Sequence, residues 1–176
     1  MKRSRVRFGA LMAACGGALA VVCVGAMMLN LVAVPSWGAA SATRPAVLPS
    51  QVVSWEEAAS QSHKADWGEM RTYFRGETFG TKDAFAAVAV VEPGKAVHRA
   101  HRHVEEEYLI VDEGSGTWQL GGKTFPAHKG DMLYVEPWVY HGLTNTGDTP
   151  LVFTVIKFNS KGVELPPRPD SGKDEL

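Results

Sequence analysis

Short apolar segments separated by turn residues make up the chain from about residue 70 to residue 158. The segments are rich in residue types that favour strands, such as Val, Phe and Tyr. We predict strands over residues 70–75, 84–92, 107–112, 116–120, 123–127, 132–135 and 151–158. The pair Gly121-Gly122 indicates a two-residue hairpin, because both residues can adopt positive φ. Short strands at this spacing predict an all-β fold, either a sandwich or a barrel.

The first 42 residues have a different pattern. Residues 1–7 contain four Lys and Arg, and residues 8–34 carry no charge. A basic end followed by an apolar stretch is typical of a secretory signal, and the small residues at 38–42 suit signal peptidase. The apolar stretch is also long enough to remain as one anchor helix with its C-terminal side outside. We therefore expect residues 1–42 to be a signal peptide or a membrane anchor helix.

Two segments flank the strand-rich part of the chain. Residues 43–69 contain Pro, Ser and Gln with at most a short helical turn, which favours a linker or arm. Residues 161–176 contain three prolines, and we expect an extended and mobile tail. The chain length allows one domain of ordinary size, and no internal repeat is visible. We expect that domain to occupy residues 70–160.

Charge and cysteine content exclude several classes of protein. Of the 18 Lys and Arg, four lie in the first seven residues, which leaves 14 against 19 Asp and Glu in the remainder. A mildly acidic body argues against nucleic acid as a partner, because phosphate binding needs a basic face. Cys15 and Cys23 both lie in the apolar N-terminal segment. The predicted domain therefore has neither a disulfide framework nor a thiolate metal site.

The last four residues are Lys173-Asp174-Glu175-Leu176, the endoplasmic-reticulum retrieval signal where a receptor reads it. In a eukaryote we would expect the protein in that lumen. In a bacterium the tetrapeptide would have no such meaning, and the chain would be periplasmic, extracellular or anchored facing outward. The sequence has no Asn-x-Ser/Thr sequon, which favours a bacterial envelope protein. Any contact with a membrane would be through an uncleaved N-terminal segment.

Two short windows hold the candidate chemistry. In the first, His101 and His103 share one face if the segment is extended, because side chains alternate along a strand. Glu107 meets this pair if it also faces inward. In the second window, His141 could join them from a neighbouring strand. A lone His-x-His pair is more often a solvated surface than a site, but two windows with a carboxylate favour a metal centre.

These windows resemble the paired motifs of the cupin superfamily. The spacing of His101, His103, Glu107 and Gly114 matches the first motif, and the spacing of Gly130, His141 and Asn145 matches the second. The resemblance covers about residues 70–158. It implies a double-stranded β-helix, the jelly-roll barrel, with a metal held in its mouth by His101, His103, Glu107 and His141.

Three positions depart from the cupin pattern. One additional residue separates Gly94 from His101, Glu136 stands where the family has proline, and Trp138 stands where it has glycine. These departures change the loop and the rim beside the metal rather than the ligands. They therefore bear on the identity of the substrate more than on the binding of the metal.

The donor set limits the metal. Three neutral imidazoles and one carboxylate favour Fe, Mn, Ni, Cu or Zn over calcium, which prefers oxygen ligands. His98, Glu105 and Tyr140 are our candidates for moving protons in catalysis, although a rim or solvated position is the simpler expectation for the first two. His63 and His128 are expected at the surface.

Resemblance to the cupins implies three classes of function. The first is a metal-dependent enzyme that acts on a small molecule: a dioxygenase, a decarboxylase or an isomerase. The second is a metal-assisted ligand-binding protein without turnover, and the third is a structural barrel. The export signal, single barrel and C-terminal tetrapeptide resemble the plan of the plant auxin-binding proteins, but the cysteines expected of that group are missing. Barrels of this family often pair through edge strands, so we expect a homodimer.

Overall fold

Residues 47–176 are described by the structure, a computed structural model. The predicted signal or anchor at residues 1–42, with both cysteines, lies outside these residues. Within residues 47–176, no helix is long and apolar enough to cross a membrane.

Nine strands and one short helix make up the described residues. The helix α1 spans Trp55–Ser60, and Ser54 caps its N-terminus by accepting a hydrogen bond from the Glu57 backbone N–H. The strands are β1 His63–Ala65, β2 Gly68–Gly76, β3 Thr81–Val91, β4 Glu106–Glu113, β5 Ser115–Leu120, β6 Lys123–His128, β7 Met132–Val135, β8 His141–Thr144 and β9 Leu151–Ser160.

The strands form two antiparallel sheets. The larger has the order β1-β2-β3-β9-β4-β7, and the smaller has the order β6-β5-β8. Strands β4 and β5 follow each other in the chain but lie in different sheets. Gly114 between them has a φ of 82°, and a Cβ there would lie 2.6 Å from the Pro150 carbonyl oxygen. Only glycine fits this corner without strain.

One apolar core lies between the two sheets. Alternate residues of β9 and β4 are buried, as expected for strands with one inward face. Trp118 and Leu143 of the smaller sheet pack into the same cluster. Its buried members are Ala87, Ala89, Val91, Leu109, Val111, Trp118, Ala127, Leu143, Leu151, Phe153 and Val155.

The seven strands expected from the sequence are all present, several of them longer by one to three residues at an end. Two strands were missed. Strand β1 is fully exposed and lies in the segment expected to be a linker, where it pairs with β2 through its backbone alone. Strand β8 begins at a histidine and contains Gly142, so its four residues lack the composition of a strand.

The C-terminal tail is extended, but it is tied to the barrel rather than free as we expected. The Arg102 backbone N–H donates to the Asp174 carbonyl at 2.8 Å, and the Leu176 N–H donates to the Ala100 carbonyl at 2.8 Å. The Arg102 guanidinium, which is buried, donates to the carbonyls of Ser171 and Gly172. The tail therefore lies along the segment that carries His101.

Candidate metal centre

The backbone brings two of the candidate ligands face to face. His101 and His141 form an isolated antiparallel bridge, with N–H to carbonyl distances of 2.9 and 2.8 Å. His141 begins strand β8 and is 1% exposed. Because this bridge fixes both Cα positions, the imidazoles start from neighbouring backbone sites, and their ring centroids lie 4.5 Å apart.

Glu107 reaches the same point from the larger sheet. It is the second residue of β4 and shares the inward face of that strand with Leu109 and Val111, so its carboxylate is buried. One carboxylate oxygen lies 3.1 Å from His103 Nε2, and the other lies 3.5 Å from His141 Nε2. The inward orientation on which the sequence argument depended is therefore present.

The three imidazoles form a cluster suited to a metal ion. One nitrogen from each of His101, His103 and His141 can be chosen so that these atoms all lie within 4.8 Å of one another. Glu107 contacts two of the three rings. The structure thus brings together all four residues that the sequence resemblance implies as ligands.

The hydrogen bonds of the imidazoles indicate which nitrogens remain as donors to a metal. His141 Nδ1 lies 2.9 Å from the Val139 carbonyl oxygen and donates to it. The other nitrogen, Nε2, is buried and has no hydrogen-bond partner among residues 47–176, which leaves it available to a metal. Ligating histidines in proteins characteristically donate their second N–H to a backbone carbonyl in this way.

His103 also has a backbone carbonyl beside its Nδ1, and in addition has a carboxylate oxygen beside its Nε2. Its Nδ1 lies 3.1 Å from the Glu105 carbonyl oxygen, and its Nε2 lies 3.1 Å from Glu107 Oε2. A neutral imidazole has only one N–H, so one of these nitrogens directs a lone pair at an oxygen. A cation between Nε2 and the carboxylate would remove that repulsion. The residues present therefore fit a divalent metal ion.

Burial and neighbouring charge keep His101 and Glu107 in the forms that bind metals. Burial, followed by the imidazoles of His98, His141 and His103, lowers the pKa of His101 to about 3. Burial alone would raise the pKa of Glu107, but the imidazoles of His103 and His141 outweigh it and lower that pKa to about 2. At neutral pH His101 is an uncharged base and Glu107 an anion.

The lowered pKa of His101 predicts that the metal-free protein loses stability in mild acid. The ordinary pKa is 6.5 and the folded value about 3, so the unfolded chain binds a proton that the folded chain excludes. The free energy of unfolding should therefore fall as the pH drops below 6.5, and less steeply in His101→Gln. Urea titrations in chelator between pH 6.5 and 4.5 measure both slopes, with exposed His63→Gln as control. Equal slopes in wild type and His101→Gln would contradict the prediction.

The three proton-moving candidates occupy different places. His98 packs edge-on against His101, with ring centroids 3.9 Å apart, and lines the same cavity. The Glu105 carboxylate lies 3.2 Å from His103 Nδ1, where it orients that ring. Tyr140 lies against the tail instead: its hydroxyl donates to the Lys173 carbonyl, and Arg102 covers its ring at 4.9 Å.

Trp138 stands where the cupin motif has glycine, and it adopts a backbone conformation typical of glycine. It has a φ of 66°, the left-handed conformation that glycine adopts at no cost and other residues rarely adopt. Its backbone N–H donates to the His103 carbonyl at 2.7 Å, and its indole N–H donates to the Pro166 carbonyl at 2.9 Å. A non-glycine residue thus adopts the left-handed conformation in the turn before His141, and its indole side chain binds the tail.

A cavity of about 180 Å³ opens beside the cluster. His98, His101, Glu107 and His141 form its polar wall, and Leu109, Leu143, Phe153 and Val155 are among its apolar lining residues. Arg75, Phe85 and Lys157 also line it, and the sequence analysis missed all three. They line the cavity because of strand register, which cannot be read from the sequence. Only Lys157 could have been found, because it continues the inward alternation of Leu151, Phe153 and Val155.

Comparison with known proteins supports a cupin domain in this part of the chain. Residues 87–157 match the family model described as "Cupin domain". Together with the two motifs and the antiparallel sheets around one core, this match supports the cupin superfamily and its β-barrel fold.

The individual relatives are distant. The chain is 30% identical to "Polyketide synthase CurC" of Streptomyces cyaneus over 46% of this chain and 53% of that one. It is 28% identical to a gentisate 1,2-dioxygenase of a Streptomyces species over 46% of this chain and 22% of that one. An RmlC-like cupin from Shewanella frigidimarina is 20% identical, with a TM-score of 0.49, over 64% of this chain and 95% of that one. The chain thus spans about half or less of the two curated relatives.

Proposed function

We propose that this chain is a metal-binding cupin that acts on a small molecule, as a metal-dependent dioxygenase, decarboxylase or isomerase. One observation carries the proposal: three imidazoles cluster beside a single buried carboxylate that contacts two of them, at the wall of a cavity large enough for a small molecule. A structural barrel needs no such convergence, because apolar side chains fill a core more favourably than unpaired polar atoms do.

His101, His103, Glu107 and His141 are the residues that would hold the ion. When bound, a divalent transition metal supplies Lewis acidity, or a site for dioxygen beside a chelating substrate. The protein holds the two backbone-bonded imidazoles in one tautomer through the carbonyls of Val139 and Glu105. The apolar part of the cavity wall keeps water from the reacting end of a bound molecule.

His98 is the residue we propose for proton transfer. It lines the cavity beside His101, and its Nδ1 lies 2.9 Å from the Arg99 carbonyl oxygen. Donation to that carbonyl would leave Nε2 as the base. One relative is a gentisate 1,2-dioxygenase, so dioxygenase activity is the first to assay. Binding of a ligand without turnover is the competing outcome.

Metal analysis of the purified protein tests the proposal. We expect about one equivalent of Fe, Mn, Ni, Cu or Zn per chain in the wild type, as for one complete site. A His101→Ala/His141→Ala variant should retain only traces. The matched control is His63→Ala/His128→Ala, since both of these histidines are exposed and outside the cluster. Equal trace metal in wild type and in the cluster variant, with both folded by circular dichroism, would refute the metal centre.

A further inference from the structure

A row of four side chains crosses the larger sheet at the level of the candidate metal centre. Arg75 lies opposite Phe85, Phe85 lies opposite Lys157, and Lys157 lies opposite Glu107. Residues directly opposite on neighbouring strands have their side chains on the same face. The row therefore places two cationic side chains on the inner face of the sheet, in line with a candidate ligand.

The rows deeper in the barrel are apolar. Ala87, Val155 and Leu109 form the next inward-facing row across β3, β9 and β4, and all three are buried. Charge on this face begins only at the mouth, where the cavity opens. Arg75 and Lys157 therefore stand out as two cationic side chains on an inner face whose deeper rows are apolar.

Phe85 lies between the two cations. The Arg75 guanidinium carbon lies 4.7 Å from the ring centroid, and the Lys157 Nζ lies 5.9 Å from it. Both distances are within the range of cation–π attraction, which favours side-chain conformations close to the ring. Arg75, Phe85 and Lys157 all line the cavity that His98, His101 and His141 line on its other side.

Neither cation has an anionic partner in the part of the chain that the structure describes. Among residues 47–176, Arg75 and Lys157 take part in no ion pair and no side-chain hydrogen bond. Of the described residues that line the cavity, Glu107 alone is acidic, and two of the imidazoles already face its carboxylate. The cavity therefore has an excess of positive charge, which a bound divalent ion would increase.

We infer that Arg75 and Lys157 form a carboxylate-binding subsite, so that the molecule reaching the metal centre is a small organic acid; the second part of this inference rests on the proposed function. The planar guanidinium of Arg75 can bind a carboxylate through two parallel hydrogen bonds, and Lys157 adds a second positive charge. A cavity of about 180 Å³ is comparable to one of about 150 Å³ that accepts benzene. The acid would be about the size of a single six-membered ring.

Binding of benzoate, measured against its neutral analogue benzamide, tests the subsite. The full chain, purified in mild detergent because residues 8–34 are apolar, is titrated by calorimetry both in chelator and with metal. We expect benzoate to bind at least about tenfold more tightly than benzamide in chelator, as charge-assisted hydrogen bonds imply. Equal binding of the two compounds would overturn the inference.

Single substitutions locate the binding. Arg75→Gln and Lys157→Gln should each weaken benzoate by about tenfold, leave benzamide unchanged and leave the metal content unchanged. Lys82→Gln is the matched control, because Lys82 is exposed on the same sheet and does not line the cavity. Unchanged benzoate binding in both cavity variants would overturn the inference. Inorganic phosphate binding more tightly than benzoate through the same two residues would overturn the assignment to carboxylates.

The metal-free arm separates this inference from the proposed function. The His101→Ala/His141→Ala variant should keep its preference for benzoate over benzamide, because Arg75 and Lys157 remain. If the wild type carries no metal but shows that preference, the subsite stands and the metal centre falls. If metal is bound and the preference is absent in chelator, the metal centre stands and the subsite falls.

Discussion

Replacing Glu107 by Gln is expected to lower the affinity for divalent metal by at least about 100-fold. Residues that only orient a ligand change metal affinity by about 10–100-fold when replaced, and Glu107 itself faces the imidazoles. The amide has nearly the same shape as the carboxylate, so the change removes charge rather than volume. It leaves the cation in a buried site with neutral donors only. Competition with a chromophoric chelator measures the dissociation constant.

Glu106→Gln is the control for this experiment. Glu106 precedes Glu107 on β4, and its side chain lies on the opposite face, where it accepts a hydrogen bond from the Tyr134 hydroxyl at 2.8 Å. This substitution removes the same charge from the adjacent position without touching the cluster. Metal affinity within about twofold of wild type is expected there, as surface charges are weak and screened. An equal loss in both variants would mean that general charge, not the buried carboxylate, holds the metal.

Asn145→Ala is expected to lower the free energy of unfolding by about 2–4 kcal/mol while the folded protein keeps its metal. The Asn145 side chain is fully buried, and its amide donates to the carbonyls of Val91 and Thr149 at 2.8 and 2.9 Å. Its amide oxygen accepts from the Gly147 backbone N–H at 3.0 Å. Truncation removes all three hydrogen bonds, and the one to the buried Val91 carbonyl is the costly case.

Urea unfolding and metal analysis on the same sample separate the two effects. The neighbouring Thr146→Ala, whose exposed hydroxyl bonds only to Thr117, should change stability by less than about 0.5 kcal/mol. Loss of metal in Asn145→Ala without loss of stability would contradict the structural role. We therefore expect His141 to bind metal and Asn145, four positions later in the same motif, to stabilise the fold.

Sequence predicted the parts of this protein that depend on local pattern. Strand β7 was predicted at its observed bounds because apolar residues lie between clear turns, and the ligand windows were predicted because His-x-His spacing is read directly on an extended chain. Glu107 needed one further fact, the inward phase of β4, which the alternation with Leu109 and Val111 supplies.

Features that depend on the register between distant strands were not predicted, apart from the meeting of His101 and His141, which the resemblance to the cupins implied. Arg75 and Lys157 are separated by more than eighty positions and become neighbours of Phe85 only through the register of β2, β3 and β9. The bulge between Thr72 and Phe74 shifts that register by one residue, and so decides which face Arg75 occupies. The attachment of the tail to Arg102 likewise rests on contacts some seventy positions apart.

The attached tail affects how the protein should be produced. Because Leu176 and Asp174 are hydrogen-bonded to the segment that carries His101, an affinity tag fused after Leu176 would begin beside the candidate metal centre. A polyhistidine tag there would offer competing imidazoles to the same ion. It could also disturb the hydrogen bonds between the tail and the segment that carries His101. Purification through a cleavable, metal-independent tag placed elsewhere avoids both effects. Metal analysis of C-terminally His-tagged protein would overestimate the amount of metal bound at the candidate site.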